Sequence, residues 1–199
     1  MSALLDASIS NPQAGGPSFA KSDRLRRLVW QIVWSLFGAW TPTPLHIWRI
    51  FLARLFGARI AKSAHLYPGV RIWNPANLEM GEFACLGRRV DCYCMGKITL
   101  EPFAVISQGA HLCSGTHDID DEYLQLKTAP ITVGRNAWVA AEAFVGPGVF
   151  IHEGAVLGAR AVLFRDLDAW SVAVGNPAQV VRMRRQRASQ ITPDQERNS

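Results

Sequence analysis

The sequence lacks the signals of several protein classes. Its four cysteines, Cys85, Cys92, Cys94 and Cys113, form no C-x-x-C pair. This argues against a dithiol redox centre or a paired-cysteine zinc site and favours reduced thiols. No run of about 18 uncharged apolar residues is long enough to span a bilayer. The first residues, MSALLDASISNPQAGG, lack the basic-then-apolar pattern of a secretory signal. We therefore expect a cytoplasmic protein.

What the sequence does contain is a period of six over residues 133–167. Neither an α-helix (period 3.6) nor a strand (period 2.0) gives this spacing. It predicts a chain that turns a corner every six residues and points one aliphatic side chain inward from each flat face, so that three hexads close a triangular coil. The aliphatic first positions are Val133, Val139, Val145, Ile151, Leu157 and Leu163.

The same phase continues upstream, with two residues inserted after each of the first two sets of three hexads, at Leu78-Glu79 and Ile98-Thr99. The fifth position of most hexads is alanine or valine, because stacked coils leave little room beside the large inward residue. The upstream first positions are Ile60, Leu66, Ile72, Met80, Leu86, Cys92, Leu100, Ile106 and Leu112. We predict an all-β fold, a parallel β-helix of about five coils, with Cys92 in its core. The alternative is a β-sandwich with coincidental spacing.

Four segments follow from this pattern. Residues 1–20 are rich in Ser, Ala, Pro, Gly and Asn, which predicts disorder. Residues 21–59 are predicted to form two amphipathic helices rich in Trp and Arg, and residues 60–187 the β-helix. Within the β-helix, residues 118–132 carry no hexad, and so long an excursion from a regular repeat indicates function. Residues 188–199 are predicted to be a polar tail.

The two helices are predicted to begin near residues 23 and 44, and the second to end at Gly57. The apolar face of the first carries Leu25, Leu28, Val29, Ile32, Leu36 and Phe37. Residues 21–62 hold eight Lys or Arg and a single acid, Asp23. Two interpretations stay open. The helices cap the exposed first coil, as solenoids require, or they contact an anionic membrane.

His117 is the leading candidate for chemistry. It occupies the sixth position of a hexad, at the point where the chain leaves the repeat for the excursion. A neutral imidazole at such a place can take a proton from a sugar hydroxyl near neutral pH. The alternative is an exposed corner histidine without a role.

Several segments resemble the hexapeptide-repeat O-acetyltransferases, and most closely the colanic acid/exopolysaccharide biosynthesis type. They are SGTHD (114–118), ITVGRNAWVAAEAFVGPGV (131–149) and VAVGNPAQVVR (172–182), and the similarity extends over roughly residues 24–185. The resemblance implies a left-handed parallel β-helix, a homotrimer with active sites between subunits, acetyl-CoA as donor and no metal. It also implies that His117 is the general base for direct attack on the thioester. The absence of a G-x-S-x-G motif agrees with a reaction without an acyl-enzyme.

The resemblance implies further site residues. Trp138, Ala140 and Gly158 would line the acetyl-CoA groove, and Arg165 and Arg182 would meet its phosphates. The acceptor would contact Asp91, Tyr93 and Asp118. Alternatives remain: Trp138 as an aromatic at a trimer contact, Ala140 and Gly158 as small corner residues, and the four arginines between residues 182 and 187 as a solvated or membrane-facing cluster. Relatives often carry Asn where Cys94 stands, which bears on the acceptor.

We therefore predict an acetyl-CoA-dependent O-acetyltransferase of a sugar hydroxyl in surface-glycan biosynthesis. The acceptor would be a lipid-linked or nucleotide-linked sugar, with peripheral contact of residues 21–57 at the inner face of the plasma membrane. No nucleic-acid partner is expected. One alternative is a γ-type carbonic anhydrase, although His65, His111 and His117 fall on different faces or coils. A second is a non-catalytic β-helix scaffold.

Overall fold

The computed structural model describes residues 4–185. Residues 1–3, the last two residues of the predicted β-helix and the predicted tail at 188–199 lie outside this range. The α-helices are α1 (Ala7–Ser10), α2 (Lys21–Phe37) and α3 (His46–Leu55), and two 3-10 helices span Pro12–Ala14 and Pro75–Asn77. In this range no helix is both long enough and apolar enough to cross a bilayer.

Seventeen short strands form the three faces of a left-handed parallel β-helix, and two more form a hairpin. The first face holds β1 (Arg59–Ile60), β4 (Leu78–Met80), β7 (Ile98–Leu100), β12 (Ile131–Val133) and β15 (Phe150–Ile151). The second holds β2 (His65–Leu66), β5 (Cys85–Leu86), β8 (Val105–Ile106), β13 (Trp138–Val139), β16 (Val156–Leu157), β18 (Ser171–Val174) and, antiparallel at its edge, β19 (Gln179–Met183). The third holds β3 (Arg71–Ile72), β6 (Asp91–Tyr93), β9 (His111–Cys113), β14 (Phe144–Val145) and β17 (Val162–Leu163).

The hexads pack as predicted. All fifteen first positions are buried, none more than 4% exposed, and Cys92 is completely enclosed. Stacked coils place equivalent hexad residues in register, as in the pairs Leu86↔Ile106 and Val139↔Leu157. The five predicted coils are present, and a sixth, incomplete turn follows. Leu167 bridges to Ile151 on the first face, and β18 adds a strand to the second.

The small fifth positions are buried at most corners but not at one. Ala76 and Thr116, each the fifth residue of the last hexad in its coil, are exposed. At this corner the chain departs from the hexad path, through the 3-10 helix Pro75–Asn77 in the first coil and through a hairpin in the third. The departures from the period are therefore confined to one corner of the prism.

Residues 4–20, where the sequence predicts disorder, form an ordered strap. Asp6 caps α1 by accepting a bond from the Ser8 amide, and Phe19 is buried. The Phe19 ring lies 5.0 Å from that of Trp73, and the Arg27 guanidinium lies 3.9 Å from the Trp73 ring centroid. The prediction of disorder rests on amino-acid composition alone. Composition does not reveal which aromatic and cation–π contacts a segment will make in the folded protein.

Helices α2 and α3 close the first coil. Its strands are edge strands with unpaired backbone groups, and helix side chains satisfy several of them. Trp30 Nε1 donates to Ile72 O (2.7 Å) and Trp34 Nε1 to Val70 O (2.8 Å). Arg54 Nε donates to Ile60 O at 2.8 Å. These contacts agree with the capping interpretation.

Arg49 of α3 is completely buried, and no acidic residue within 4–185 forms an ion pair with it. Its guanidinium donates to Leu66 O (2.6 Å), to the Thr41 hydroxyl (2.8 Å) and to the carbonyls of Pro42 (2.9 Å) and Thr43 (2.7 Å). A buried charge is tolerated only when it is fully hydrogen-bonded. Arg49 therefore joins the turn between the helices to the first coil.

The apolar face predicted for the first helix points away from the protein. Trp30 and Trp34 face inward, whereas Leu25, Leu28 and Ile32 are 63%, 52% and 51% exposed. The indole N–H groups of Trp30 and Trp34 donate hydrogen bonds to carbonyls at the edge of the first coil. Because the two tryptophans therefore face the coil, the aliphatic side chains on the opposite side of α2 face solvent.

Candidate active site

The excursion contains a β-hairpin that carries His117. Strands β10 (Gly115–His117) and β11 (Leu126–Thr128) pair antiparallel, with His117 opposite Leu126. The hairpin leaves the third face directly after β9. At its base the buried Ser114 hydroxyl donates to Tyr93 O (2.9 Å) and accepts from the Gly96 amide (2.9 Å). The hairpin thus starts from a fixed point on the coil below.

The tip of the hairpin is shaped by Asp121. Its carboxylate accepts bonds from the amides of Tyr123 (2.9 Å) and Gln125 (3.1 Å), an arrangement typical of aspartate in turns. Leu124 adopts a positive φ of 51°, which is uncommon for a side chain of its size. Its carbonyl lies 2.7 Å from Nδ1 of His117.

This contact sets the chemistry of His117. A carbonyl only accepts, so the ring proton is assigned to Nδ1 and Nε2 keeps its lone pair. His117 is exposed, and across residues 4–185 no group forms a hydrogen bond with Nε2. The imidazole is therefore oriented through one nitrogen and available as a base through the other.

The N-terminal strap holds the hairpin from outside. The Gln125 side chain accepts from the Ala7 amide (2.7 Å) and donates to Leu5 O (3.2 Å). Gln13 donates to Glu122 O at 2.9 Å. Gln125 also accepts, through its own carbonyl, the Asp118 amide at 2.8 Å. Gln125 thus connects the strap to a residue that flanks His117.

Asp118, predicted to contact the acceptor, is engaged within the hairpin. One carboxylate oxygen lies 2.6 Å from Lys127 Nζ, and the other accepts the Asp120 amide at 3.3 Å. The hydrogen bond from Lys127 lowers the pKa of Asp118, and the same bond raises the pKa of Lys127. Asp118 supports the hairpin with both oxygens.

Asp91 and Tyr93, also predicted to contact the acceptor, share a pocket of about 290 Å³ between the third face and α2. Asp91 forms an ion pair with Arg71 at 3.5 Å. Burial raises the pKa of the Tyr93 phenol. The other lining residues are Trp30, Gln31, Trp34, Ser35, Arg71, Ile72 and Trp73. His117 does not line this pocket. Within a single chain, the candidate base therefore lies apart from Asp91 and Tyr93.

Cys94, which stands where relatives often carry Asn, does not face this pocket. It is fully buried between Asn74 and Ser114, which occupy the equivalent position one coil below and one coil above. Its thiol donates to Asn74 O at 3.2 Å. The Cys94 side chain therefore supports the corner and does not reach this pocket.

Most of the predicted acetyl-CoA residues lie together on the second face. Trp138, Val156, Val172 and Arg182 follow one another across β13, β16, β18 and β19 in one register row. Trp138 is 44% exposed, and its Nε1 donates to the Ser107 hydroxyl at 2.8 Å.

Two small residues border this row, and one predicted residue lies apart from it. Ala140 follows β13 and is buried, and Gly158 follows β16. A Cβ at Gly158 would come within 2.7 Å of the Val174 side chain, so a larger residue there would have to displace that side chain. Arg165 instead follows β17 at the corner between the third and first faces. The structure does not bring it to the others.

Two second-face residues were missed from the sequence. Arg184 and Trp170 line a pocket of about 360 Å³ together with Trp138. Arg184 Nη1 donates to Asn136 O (2.9 Å) and to Gly154 O (3.1 Å). The sequence shows the cluster of arginines that begins at residue 182. Because the last hexad ends before this cluster, the period of six does not predict on which face of the prism these arginines lie.

The three histidines considered for a metal site lie apart. His65 is on the second face, His111 is on the third, and His117 is on the hairpin. In the stretch from residue 4 to residue 185, no three His, Cys, Asp or Glu side chains are grouped to hold a metal ion. This arrangement does not fit the three converging histidines of a γ-type carbonic anhydrase.

Comparisons with known proteins agree with this geometry. No protein-family model matches the chain. The chain is 40% identical over 166 residues to the "Putative colanic acid biosynthesis acetyltransferase WcaF" of Escherichia coli (strain K12), which covers 83% of this chain and 91% of that protein. It is 35% identical over 122 residues to the "Putative acetyltransferase SAR2635" of Staphylococcus aureus (strain MRSA252), covering 57% of this chain and 61% of that protein.

Solved structures share the fold. A galactoside acetyltransferase in complex with coenzyme A superposes with a TM-score of 0.71 at 21% identity, over 90% of this chain and 91% of that chain. A maltose O-acetyltransferase from Clostridium difficile 630 superposes with a TM-score of 0.69 at 21% identity, over 84% and 90%. At 21% identity, the similarity to these two structures shows a shared β-helix fold and no more.

Proposed function

The chain is a member of the hexapeptide-repeat acetyltransferases, and we propose that it transfers an acetyl group from acetyl-CoA to a sugar hydroxyl during exopolysaccharide or other surface-glycan biosynthesis. The relative that is 40% identical carries colanic acid biosynthesis in its name, and two structural neighbours are titled maltose and galactoside acetyltransferases. These names support a carbohydrate acceptor.

The observation that carries the proposal is the orientation of His117. Its Nδ1 is held at 2.7 Å by Leu124 O, and Nε2 faces solvent with its lone pair. Acetyl-CoA supplies an activated thioester. His117 Nε2 takes the proton of the acceptor hydroxyl as the oxygen attacks the thioester carbonyl, and the proton then goes to the departing thiolate. No covalent acyl-enzyme is required, and an oriented base of this kind contributes roughly 10²- to 10⁴-fold in rate.

The second face suits the donor. Trp138, Ala140 and Gly158 offer an aromatic wall beside two small residues, where a narrow pantetheine arm can lie close to the backbone. Arg182, Arg184 and Arg185 together line a depression of about 710 Å³. Their charges complement the phosphates of coenzyme A. Arg165 joins this set only if another subunit supplies it.

We propose a homotrimer in which the active site lies between subunits. In one chain the hairpin leaves the corner between the third and first faces, whereas the Trp138 row lies on the second face. A neighbouring copy that packs its second face beside the hairpin would unite base and donor. The pocket of Asp91 and Tyr93 would take the acceptor, since Arg71 and Gln31 add hydrogen-bonding groups and Trp73 adds a flat apolar surface.

We place this reaction in the cytoplasm at the inner face of the plasma membrane, where surface-glycan precursors are lipid-linked. Residues 21–62 hold eight basic residues and one acid, and the basic residues other than the buried Arg49 support contact with an anionic surface. The same membrane location favours a lipid-linked sugar over a nucleotide-linked one as acceptor.

The test compares His117→Ala with His65→Ala, an exposed histidine on the second face that packs against His46. Release of coenzyme A and mass spectrometry of candidate glycans would follow transfer. We expect His117→Ala to lose about 10²- to 10⁴-fold in rate with unchanged thermal unfolding, and His65→Ala to retain activity. Equal activity in His117→Ala and the wild type would remove His117 from the mechanism. Activity lost in both variants together with a bound metal would favour the carbonic anhydrase alternative.

A further inference from the structure

Helices α2 and α3 present a continuous apolar surface to solvent, here called the helix face. Its side chains are between 40% and 77% exposed, and the opposite sides of both helices are buried. On α2 the helix face consists of Leu25, Leu28, Val29, Ile32 and Leu36, and on α3 of Ile47, Trp48, Phe51 and Leu55. Contiguous exposed apolar patches on soluble proteins mark interaction sites.

Tryptophan contacts join the two stripes. Trp48 of α3 donates from Nε1 to Phe37 O at the end of α2 (2.7 Å), and its ring stacks on Phe51 with centroids 5.7 Å apart. Trp40, between the helices, is 70% exposed and donates from Nε1 to Leu36 O at 2.8 Å. Both indole N–H groups are therefore satisfied within the protein. The rings can enter an apolar layer without leaving a donor unpaired.

The charge around the helix face identifies its partner. Lys21 and Arg24 line an open depression of about 500 Å³ beside Leu25 and Leu28. The exposed cations around the two helices without a hydrogen-bonded or ion-paired partner in the described chain are Lys21, Arg24 and Lys62. Arg59 is paired with Glu79 (2.8 Å), and Arg26 and Arg54 are bonded to Asn74 and Ile60 of the first coil. A second copy of this surface would bring like charges together, whereas a bilayer with anionic headgroups complements them.

We propose that the helix face rests on an anionic phospholipid surface, with its aliphatic side chains below the headgroups and Trp40 and Trp48 at the interface. The helices cover the first coil, and the hairpin leaves the third. Since strands stack about 4.8 Å apart and a helix with its side chains is about 10 Å across, His117 would then stand roughly 20 Å from the lipid surface. A sugar attached to a lipid could reach this height. This last step rests on the proposed function, whereas the lipid contact does not.

The experiment is co-sedimentation of the full chain with phosphatidylcholine vesicles and with vesicles that also contain phosphatidylglycerol. The variant is the double substitution Leu28→Glu and Ile47→Glu, at positions 52% and 77% exposed. The matched control is Ile9→Glu in α1, which is 84% exposed and lies outside the helix face. We expect the wild type and the control to pellet with the anionic vesicles and the double variant to partition at least tenfold more weakly.

Two further measurements keep the outcomes distinct. Absence of pelleting, or equal pelleting of the double variant, would overturn the proposal. A change in the sedimentation coefficient of the lipid-free double variant would also overturn it, because the helix face would then be a subunit contact. Transfer to a soluble acceptor reports the proposed function separately: a chain that binds vesicles but shows no transfer keeps the lipid surface and loses the activity.

Discussion

The coils and the segments outside them use apolar side chains in opposite ways. In the coils every large first-position residue points inward and is at most 4% exposed. In α2 and α3 the inward side carries Trp30, Trp34 and the buried Arg49, and most of the large aliphatic side chains face solvent. The coils are therefore held by burial. The attachment of the helices combines burial of Trp30, Trp34, Ile50 and Leu52 in the same core with polar contacts to the carbonyls at the edge of the first coil.

The hairpin also lies outside the coils. Three of its residues, Ser114, Asp121 and Gln125, hold it by hydrogen bonds to the coil below, to its own tip and to the strap. Leu126 brings it into a small apolar cluster with Phe19 and Met95. Contacts of this kind are specific but individually weak. The comparison thus predicts a rigid prism that carries segments of lower local stability, which is common for catalytic loops.

A matched pair of leucines gives the largest expected difference between the two regions. Leu157→Ala removes a fully enclosed side chain and leaves a cavity, whereas Leu28→Ala trims a side chain that is 52% exposed. We expect a loss of about 2 to 5 kcal/mol in unfolding free energy for the first and a change within about 0.5 kcal/mol for the second. Denaturant unfolding at one protein concentration measures both. A similar loss in the two variants would mean that the helix face is buried in the folded assembly.

Arg49 tests whether the helix attachment is polar. Arg49→Met preserves much of the volume but removes the bonds to Leu66, Thr41, Pro42 and Thr43. We expect a loss of about 3 kcal/mol, since hydrogen bonds from a charged donor are among the stronger ones and several buried acceptors lose their partner. The matched control, Arg54→Met, loses only the contact with Ile60 O. Little effect in Arg49→Met would show that packing alone attaches α3.

The period of six predicted the prism because each hexad repeats one local requirement, a large inward residue and a small corner residue. It carries no information on the tertiary contacts that decide how the segments outside the coils are arranged. The direction of α2 depends on carbonyls at the edge of the first coil, and the order of residues 4–20 depends on Phe19, Trp73 and Arg27. Neither requirement leaves a periodic signal in the sequence.

The site was predicted unevenly for the same reason. His117 could be proposed from the sequence because the repeat breaks directly after it. The hydrogen bond that orients it could not, because Leu124 acts through its backbone carbonyl. Arg184 and Trp170 lie beyond the last hexad. The period of six therefore could not predict that they line a pocket together with Trp138. Arg165 was grouped with the donor residues by resemblance, and its corner position becomes apparent only in three dimensions.

Gln125 tests the prediction that the strap and the hairpin form a local unit. Gln125→Leu removes the bonds to Ala7 and Leu5, each worth about 1 kcal/mol net. Hydrogen exchange should rise in residues 4–20 and in the hairpin while global unfolding changes little. The control Gln13→Leu removes only the contact with Glu122 and should affect exchange less. If Gln125→Leu lowered global stability as much as Leu157→Ala, the hairpin and the coils would unfold together.

The smallest expected effect is the pH dependence of the hairpin. The pKa of Asp118 is lowered in the folded chain by Lys127, so the pair stabilises the hairpin above the ordinary value of 3.8. That contribution is lost as the pH falls through the lowered pKa. The pKa of Lys127 is raised above 10.5, so the pair weakens again only as the pH rises through that higher value. The stabilisation is present between these limits.

This window can be followed by hydrogen exchange of the hairpin amides after transfer to acidic buffers, with Lys127→Met as the matched variant. Because both groups are exposed and the pair is screened by salt, we expect a modest rise in opening below pH 4 that Lys127→Met shows already at neutral pH. Asp118 and Lys127 both lie in the hairpin and not in the coils. Exchange of the coil amides should therefore depend on pH in the same way in the wild type and in Lys127→Met. A pH effect spread equally over coils and hairpin would contradict the separate stability of the two regions.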